Sequence, residues 1–415
     1  MIFDKGIIKN FLHLASSFIV SKLFLLVAIA VGARMLGPEQ WGIFSYAFTI
    51  LFIMHLLGDF GFHTLIMREV AKRSLSAQQF LKVIWSRFWL GLLSISLAYL
   101  ALKITNADDQ VLWVLGILSL SILLRPVYAS VRSLSQGLEQ MQWTMVLDVA
   151  LYGTFLVVVA LGLNLFYLSP IVPAIAWFVG VVISMVAAIY VYRKCQTLLI
   201  QTNVNIDSSQ LSLIKMAAPF LMINVIVVIF HRVDVLMLEW FRGYEEVGYY
   251  SVAYQVFDAV ALLPGLMVTV LFPRMLKYKS ELRVVLPKML FIVAILSSMI
   301  AFFTVLSADM MITTVFGDSY TKAIPLVPVL MLGVPLMATT GVLAHVLFTE
   351  QRTSLSAFAT GISLVVNIAL NYIFIPQYGM MAAGVATSVT LGLNSLIHIL
   401  MVMRCFSVNA HCPSL

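Results

Sequence analysis

The feature that most limits what this chain can fold into is its series of long apolar runs. Counting those able to cross the roughly 30 Å of a bilayer's hydrocarbon gives twelve. The first six lie at about residues 11–34, 41–66, 82–103, 110–131, 143–164 and 169–192, and the second six at about 219–241, 247–272, 285–306, 324–349, 356–375 and 382–403. They are too long for membrane strands and show no alternation of period two, so helices are the one spanning form that satisfies their backbone. Composition agrees, because 62% hydrophobic against 10% charged residues over 415 positions is more apolar surface than a water-soluble fold buries. The chain is expected to be an all-α integral membrane protein.

Its net charge of +7 raises the question of nucleic acid. The basic residues form no cluster interleaved with aromatics; they sit at span ends, so membrane lipids and no nucleic acid are expected as surroundings. With both termini cytoplasmic, seventeen of the 25 Lys and Arg fall on the cytoplasmic side, four on the other, and Lys22, Arg87, Arg125 and Arg232 inside spans. That bias predicts a multi-pass protein with cytoplasmic N- and C-termini. No small-residue cleavage site follows the first apolar run, so the first span is expected to stay as an anchor. Cys195, Cys405 and Cys412 are too few and too scattered for a disulfide framework or metal site, and neither a metal nor another cofactor is expected.

An internal repeat divides the chain. Gly37, Glu39, Gly42, Ser45 and Ala47 recur as Gly243, Glu245, Gly248, Ser251 and Ala253 at an offset of 206, and Glu139-Gln140 recurs as Glu350-Gln351 at an offset of 211. Six spans return the chain to the side it started from, so two such halves are parallel repeats. The expected organisation is an N-terminal six-helix bundle over 1–195, a cytoplasmic linker over 196–215 and a C-terminal six-helix bundle over 216–415, with a cleft between the bundles.

The stretch Gly32-Ala33-Arg34-Met35-Leu36-Gly37-Pro38-Glu39-Gln40-Trp41-Gly42-Ile43-Phe44-Ser45 resembles the Wzx-type O-antigen flippases. These form the polysaccharide-transporter branch of the multidrug/oligosaccharidyl-lipid/polysaccharide (MOP) flippase superfamily. Gly58-Asp59-Phe60-Gly61 with Arg68-Glu69-Val70-Ala71-Lys72 is similar to that family's second span and its exit. Asn367, Asn371, Ile375-Pro376, Tyr378-Gly379 and Ala382-Ala383-Gly384-Val385-Ala386-Thr387 are similar to its last two spans. The resemblance implies a non-enzymatic flippase whose two six-helix, MATE-like bundles around a central cavity work by alternating access. It would move undecaprenyl-diphosphate-linked oligosaccharide from the inner to the outer leaflet of the bacterial plasma (inner) membrane for O-antigen, and so lipopolysaccharide, biosynthesis. Polysaccharide polymerase and chain-length machinery would be its partners. The coupling ion, H+ or Na+, is left open. A drug or small-cation antiporter of the same fold and a peptidoglycan-precursor flippase are the rival transporters. A glycan polymerase or ligase is disfavoured, because the external loops are short and poor in acid/base residues.

The resemblance brings no transferable site motif, so candidate residues come from charges inside apolar spans, each costing about 2.5–3.5 kcal/mol or more unless it faces protein or water. Lys22 and Arg232 lie near mid-depth in equivalent spans and suit a diphosphate. With His231, Asp234 and Asp258 they form the substrate-binding set. On a helix His231 and Asp234 share a face three residues apart. The opposing reading is that Lys22 and Arg232 merely neutralise an acid such as Asp234 or Asp258. Asp59, Arg87, Arg125, Arg132 and Asp148 lie towards the cytoplasmic side and read as a substrate entrance or as gate ion pairs. His345 and His398 read as satisfied interior groups. Pro264-Gly265, Pro325, Pro328, Gly333 and Pro335 are expected to kink spans eight and ten.

Overall fold

The computed structural model describes residues 5–105, 107–165, 168–196, 209–277 and 282–409. Among them no strand occurs, and nine helices are long and apolar enough to cross a membrane. The protein is therefore a multi-pass, all-helical membrane protein. Two of the nine, Val20–Asp59 and Thr353–Phe406, run to 40 and 54 residues. They belong to α1 (Lys5–Asp59) and α14 (Thr353–Asn409), which break at Gly37 (φ 76°) and Gly379 (φ 55°) respectively.

The chain folds into two compact units, one comprising residues 1–36 and 43–228 and the other 37–42 and 229–415. The first contains most of α1, α2 (Phe62–Ala71), α3 (Ala77–Ile104), α4 (Asp109–Gly137), α5 (Met141–Leu165), α6 (Ile171–Cys195) and α7 (Gln210–Phe230) up to Val228. The boundary differs from the expected linker at 196–215, of which 197–208 lies outside the described residues. Gly61 gives the physical reason. It follows the break that ends α1, at φ 84°, and a Cβ there would lie 2.7 Å from the Ala217 carbonyl oxygen and 2.8 Å from Phe220 Cβ. A bare Cα lets α7 sit directly on the start of α2, and Arg68 lies over the Phe220 ring at 5.4 Å.

The second unit contains α8 (Val233–Arg242), α9 (Tyr244–Lys277), α10 (Leu282–Leu306), the short α11 (Ala308–Met311), α12 (Leu326–Met331), α13 (Gly333–Thr349) and α14. Here the turns at 37–42 and 243–248 meet. A Cβ on Gly42 would overlap the Tyr244 carbonyl, and one on Gly248 would overlap the Pro38 carbonyl, so only glycine fits at either position. Gly379 is held in a related way. The Glu246 carboxylate occupies the place of a Cβ there and accepts the Met380 N–H at 2.8 Å, putting negative charge on a restarting helix end. Beside it, Tyr249 Oη and Lys322 Nζ donate to Glu245, at 2.8 and 3.3 Å, and these two bonds hold that carboxyl below the usual glutamate range.

Three expected spans are not continuous helices. The second ends at Asp59 and resumes as α2 after Phe60-Gly61. The seventh breaks at His231-Arg232, between α7 and α8. The tenth is divided at Leu332 into α12 and α13, and Pro325, Pro328 and Pro335 deny it three backbone donors.

Candidate functional site

In the first unit, charges inside apolar helices have found one another. Arg87 of α3 is 2% exposed. Its Nη2 donates to Asp59 Oδ1 at the end of α1 (2.5 Å) and its Nη1 to Ser130 of α4 (2.6 Å). The other Asp59 oxygen accepts the His63 N–H (3.3 Å), so one carboxylate ties α3 to both sides of the break between α1 and α2. The Ser133 hydroxyl donates to the Ala129 carbonyl, which makes His63 Nδ1–H the donor in their 2.8 Å contact. One turn away, Arg125 Nη1 donates to His55 Nδ1 at 2.7 Å. That bond requires a neutral imidazole with its proton on Nε2. On the next face of α4, Arg132 binds Asp148 of α5 with both arms of its fork, Nε to Oδ1 at 2.7 Å and Nη2 to Oδ2 at 3.0 Å, and Tyr128 Oη donates to Oδ1 at 2.8 Å.

In the second unit the organising group is Asp234, 1% exposed in the first turn of α8. It takes its hydrogen bonds from three neutral donors: Tyr250 Oη (2.8 Å) and Thr387 Oγ1 (2.6 Å) to Oδ2, and Asn371 Nδ2 (2.6 Å) to Oδ1. Asn371 also donates to Asn367 Oδ1 (3.0 Å), whose own amide reaches Thr390 (3.3 Å). Asn371 Oδ1 is buried with no hydrogen-bond partner. The result is a buried, oxygen-rich cluster built from α8, α9 and both halves of α14. One carboxylate with amide and hydroxyl oxygens is chemistry suited to a proton or a small hard cation, and unlike the thiolate and imidazole sets that hold transition metals. Among the described residues no group of three His, Cys, Asp or Glu could hold a metal ion.

The structure thus brings Asp59, Arg87, Arg125, Arg132 and Asp148 into one unit on α1, α3, α4 and α5. His231 and Asp234 do face the same neighbour in spite of the break in their span, since His231 Nδ1 meets Tyr254 Oη at 3.0 Å while Asp234 holds Tyr250, one turn earlier on α9. Arg232 and Asp258 both act electrostatically on Tyr254. Lys22 is exposed on α1 of the first unit, and Arg232 belongs to the second. His398 is fully buried between Ser356 and the Asn394 carbonyl, each at 2.8 Å, a satisfied interior group. The sequence reading missed His55, His63, Tyr128, Tyr250 and Thr390 as partners. Asn367 and Asn371 carried a signal, two amides four residues apart in an apolar run and hence on one helix face.

This geometry places the chain in a class of multi-pass helical proteins with charged clusters inside their units, and solved structures share its fold. The lipid II flippase MurJ, in an inward closed conformation, matches with a TM-score of 0.77 at 17% identity, over 94% of this chain and 87% of that one. An inward-facing multidrug resistance MATE family transporter of the MOP superfamily matches with a TM-score of 0.71 at 12% identity, over 95% and 96%. A probable low-salt glycan biosynthesis flippase, Agl15 of Haloferax volcanii, is 27% identical over 176 residues. That match takes in 40% of this chain and 36% of that protein, so little more than a third of the relative is spanned. The sequence profile of the polysaccharide biosynthesis protein family matches residues 7–279, and the chain belongs to that family. The resemblance to the polysaccharide branch of the MOP superfamily stands.

Proposed function

We propose that the protein is a flippase for polyprenyl-diphosphate-linked oligosaccharide, moving O-antigen or related repeat units across the bacterial inner membrane by alternating access, without enzymatic chemistry. The observation that carries this reading is the family match over residues 7–279 on a chain with the flippase and MATE fold. The charged clusters of the first unit hold three arginines, Arg87, Arg125 and Arg132, against two acids, Asp59 and Asp148, a balance that suits an anionic lipid diphosphate better than a cationic drug. The polymerase and chain-length machinery would take the delivered units. In a strain lacking the protein, lipid-linked units should collect on the inner leaflet and surface polymer should disappear. Normal surface polymer in a strain with no second flippase would contradict the reading.

We also infer twelve spans in two parallel repeats, with both termini cytoplasmic. Supporting this, α1 and α14 are each long enough, at about 80 Å, for two crossings either side of their glycine breaks. Gly37 and Gly243 adopt the same conformation (φ 76° and 82°), and the contacts of Gly42 and Gly248 are reciprocal at the same offset of 206. The cytoplasmic turns also repeat, with Glu139 and Gln351 both at φ 58° closing helices by the same pair of bonds. Their register is one residue away from the Glu-Gln match seen in sequence. Cys195 and Cys405 are buried, which leaves the outside accessible to introduced thiols. With Cys412, which lies outside the described residues, replaced by serine, an impermeant thiol reagent added to intact cells should label Gln110→Cys and spare Ala71→Cys. The reverse pattern would invert the topology.

A further inference from the structure

In the second unit, Asn367 meets Thr390 and Ser356 meets His398, so the two halves of α14 run back along each other from the break at Gly379. Between them lies a groove of about 420 Å³, walled by Leu370, Phe374 and Tyr378 of the first half and by Ala382, Val385 and Ala386 of the second. The spacing of four puts the first three on one helix face. The small side chains of Ala382 and Ala386 leave the space between the walls, and the exposed Phe374, Tyr378 and Val385 form its open side. At the depth of an apolar span that side meets hydrocarbon, so a lipid chain fills the groove and recovers the contacts an empty one would forgo. A cavity of about 150 Å³ takes up one benzene ring, which gives this groove room for roughly seventeen carbons. That is one acyl chain of a phospholipid. The tail of a polyprenyl lipid is several times longer and would leave most of itself outside.

One end of the groove is charged. Tyr378 and Met381, both in its wall, flank the Gly379-Met380 backbone that the Glu246 carboxylate holds. Glu246 Oε1 accepts from Arg242 Nε at 2.8 Å and Oε2 from the Met380 N–H, which leaves each oxygen a second lone pair. Arg242 spends only Nε on Glu246, and among the described residues its two Nη groups take no other partner on an exposed side chain. Such a fork matches a phosphodiester, and the carboxylate beside it matches an ammonium. The pair is neutral overall, as a zwitterionic headgroup is, whereas an acidic headgroup would meet repulsion from Glu246. We infer that the α14 groove binds one zwitterionic phospholipid carrying a primary amine, with an acyl chain between the helix halves, its phosphate on Arg242 and its ammonium on Glu246. The site lies within one unit and rests on the membrane placement rather than on the flippase reading, so failure of transport would leave it standing.

Denaturation temperature of the purified full-length protein in detergent tests this, with dioleoyl phosphatidylethanolamine, phosphatidylcholine, phosphatidylglycerol or undecaprenyl phosphate added. A ligand that binds only the folded state stabilises it in proportion to the logarithm of its concentration above Kd. The first three lipids share acyl chains and phosphodiester and differ beyond them, in a primary ammonium, a quaternary ammonium without N–H donors and an uncharged glycerol. Phosphatidylethanolamine should raise the temperature at the lowest concentration, and roughly tenfold more phosphatidylcholine should be needed, because it cannot donate to Glu246. Glu246→Gln, still able to accept the Met380 N–H, should erase that difference. Val385→Trp, which fills the groove from its open side, should lose the rise, and Val365→Trp, an exposed position of α14 outside the groove, should keep it. Should Val385→Trp fail to fold, native mass spectrometry of the wild-type protein decides: one phosphatidylethanolamine retained in preference to the other lipids supports the site. Equal rises with the three phospholipids, a rise kept by folded Val385→Trp, no preferential retention, or a larger effect of phosphatidylglycerol or undecaprenyl phosphate would each overturn it.

Discussion

Asp234→Ala should destabilise the protein by about 2–5 kcal/mol, because it strands the Tyr250 hydroxyl and one Asn371 N–H at about 1–3 kcal/mol each, while the Thr387 hydroxyl can turn to the Ala383 carbonyl at 3.0 Å. The three donors to Asp234, Tyr250, Asn371 and Thr387, are drawn from α9 and both halves of α14, so the loss loosens contacts between helices. Asp234→Asn should fold far better. Its remaining oxygen can serve Tyr250 and Thr387, and its new N–H can be met if Asn371 turns its unpartnered Oδ1 inward, at the expense of about one hydrogen bond to Asn367. The asparagine variant therefore separates folding from charge. If Asp234 belongs to the transport site, Asp234→Asn should be well folded and transport poorly per folded molecule. Arg232→Ala leaves every Asp234 bond in place and should cost less stability than Asp234→Ala. Thermal denaturation of the three purified variants checks the ranking. Wild-type stability in Asp234→Ala would contradict the network, and wild-type transport in Asp234→Asn would remove Asp234 from the site.

The Arg132–Asp148 pair should show the other large effect. Asp148 is 3% exposed and accepts three bonds, two from the Arg132 fork and one from Tyr128. Removing one partner of a buried ion pair typically costs about 3–5 kcal/mol, because the other charge is left without compensation, so Asp148→Ala should sharply reduce folded protein in the membrane. Replacing both members by apolar residues of similar volume, Arg132→Met with Asp148→Leu, should recover most of that loss. A double mutant no more stable than Asp148→Ala would show that the pair does more than neutralise charge. Transport by a well-folded double mutant then separates a gate from a strut: a gate needs the pair, and a strut does not.

The charged positions were legible in the sequence because the membrane makes them so. A charge within an apolar run must find a partner, which is why Asp59, Arg87, Arg132 and Asp148 could be grouped before any geometry was known. Their neutral partners were not legible. Ser130, His63 and Tyr128 look like ordinary members of a mixed helix face, and only the packing of α1, α3, α4 and α5 gives them roles. Asp234 is the sharper case. Its acceptor bonds reach Asn371 and Thr387, 137 and 153 residues along the chain, whereas reading the sequence turned to the charge two positions away, Arg232. The same limit applies to the helix breaks. Gly61 and Gly379 announce theirs, while the break at His231-Arg232 has neither glycine nor proline, and its imidazole is engaged instead by Tyr254 of α9.

Transport by the purified protein in vesicles tests the central claim most directly. With a fluorescent polyprenyl-diphosphate glycan placed in both leaflets, a membrane-impermeant quencher should reach only the outer pool in protein-free vesicles. In vesicles carrying the protein, the inner pool should become accessible as it is moved outward, while a lipophilic cationic dye should stay on its own side. Exchange of the dye with no movement of the glycan would contradict the account and assign the chain to cation export.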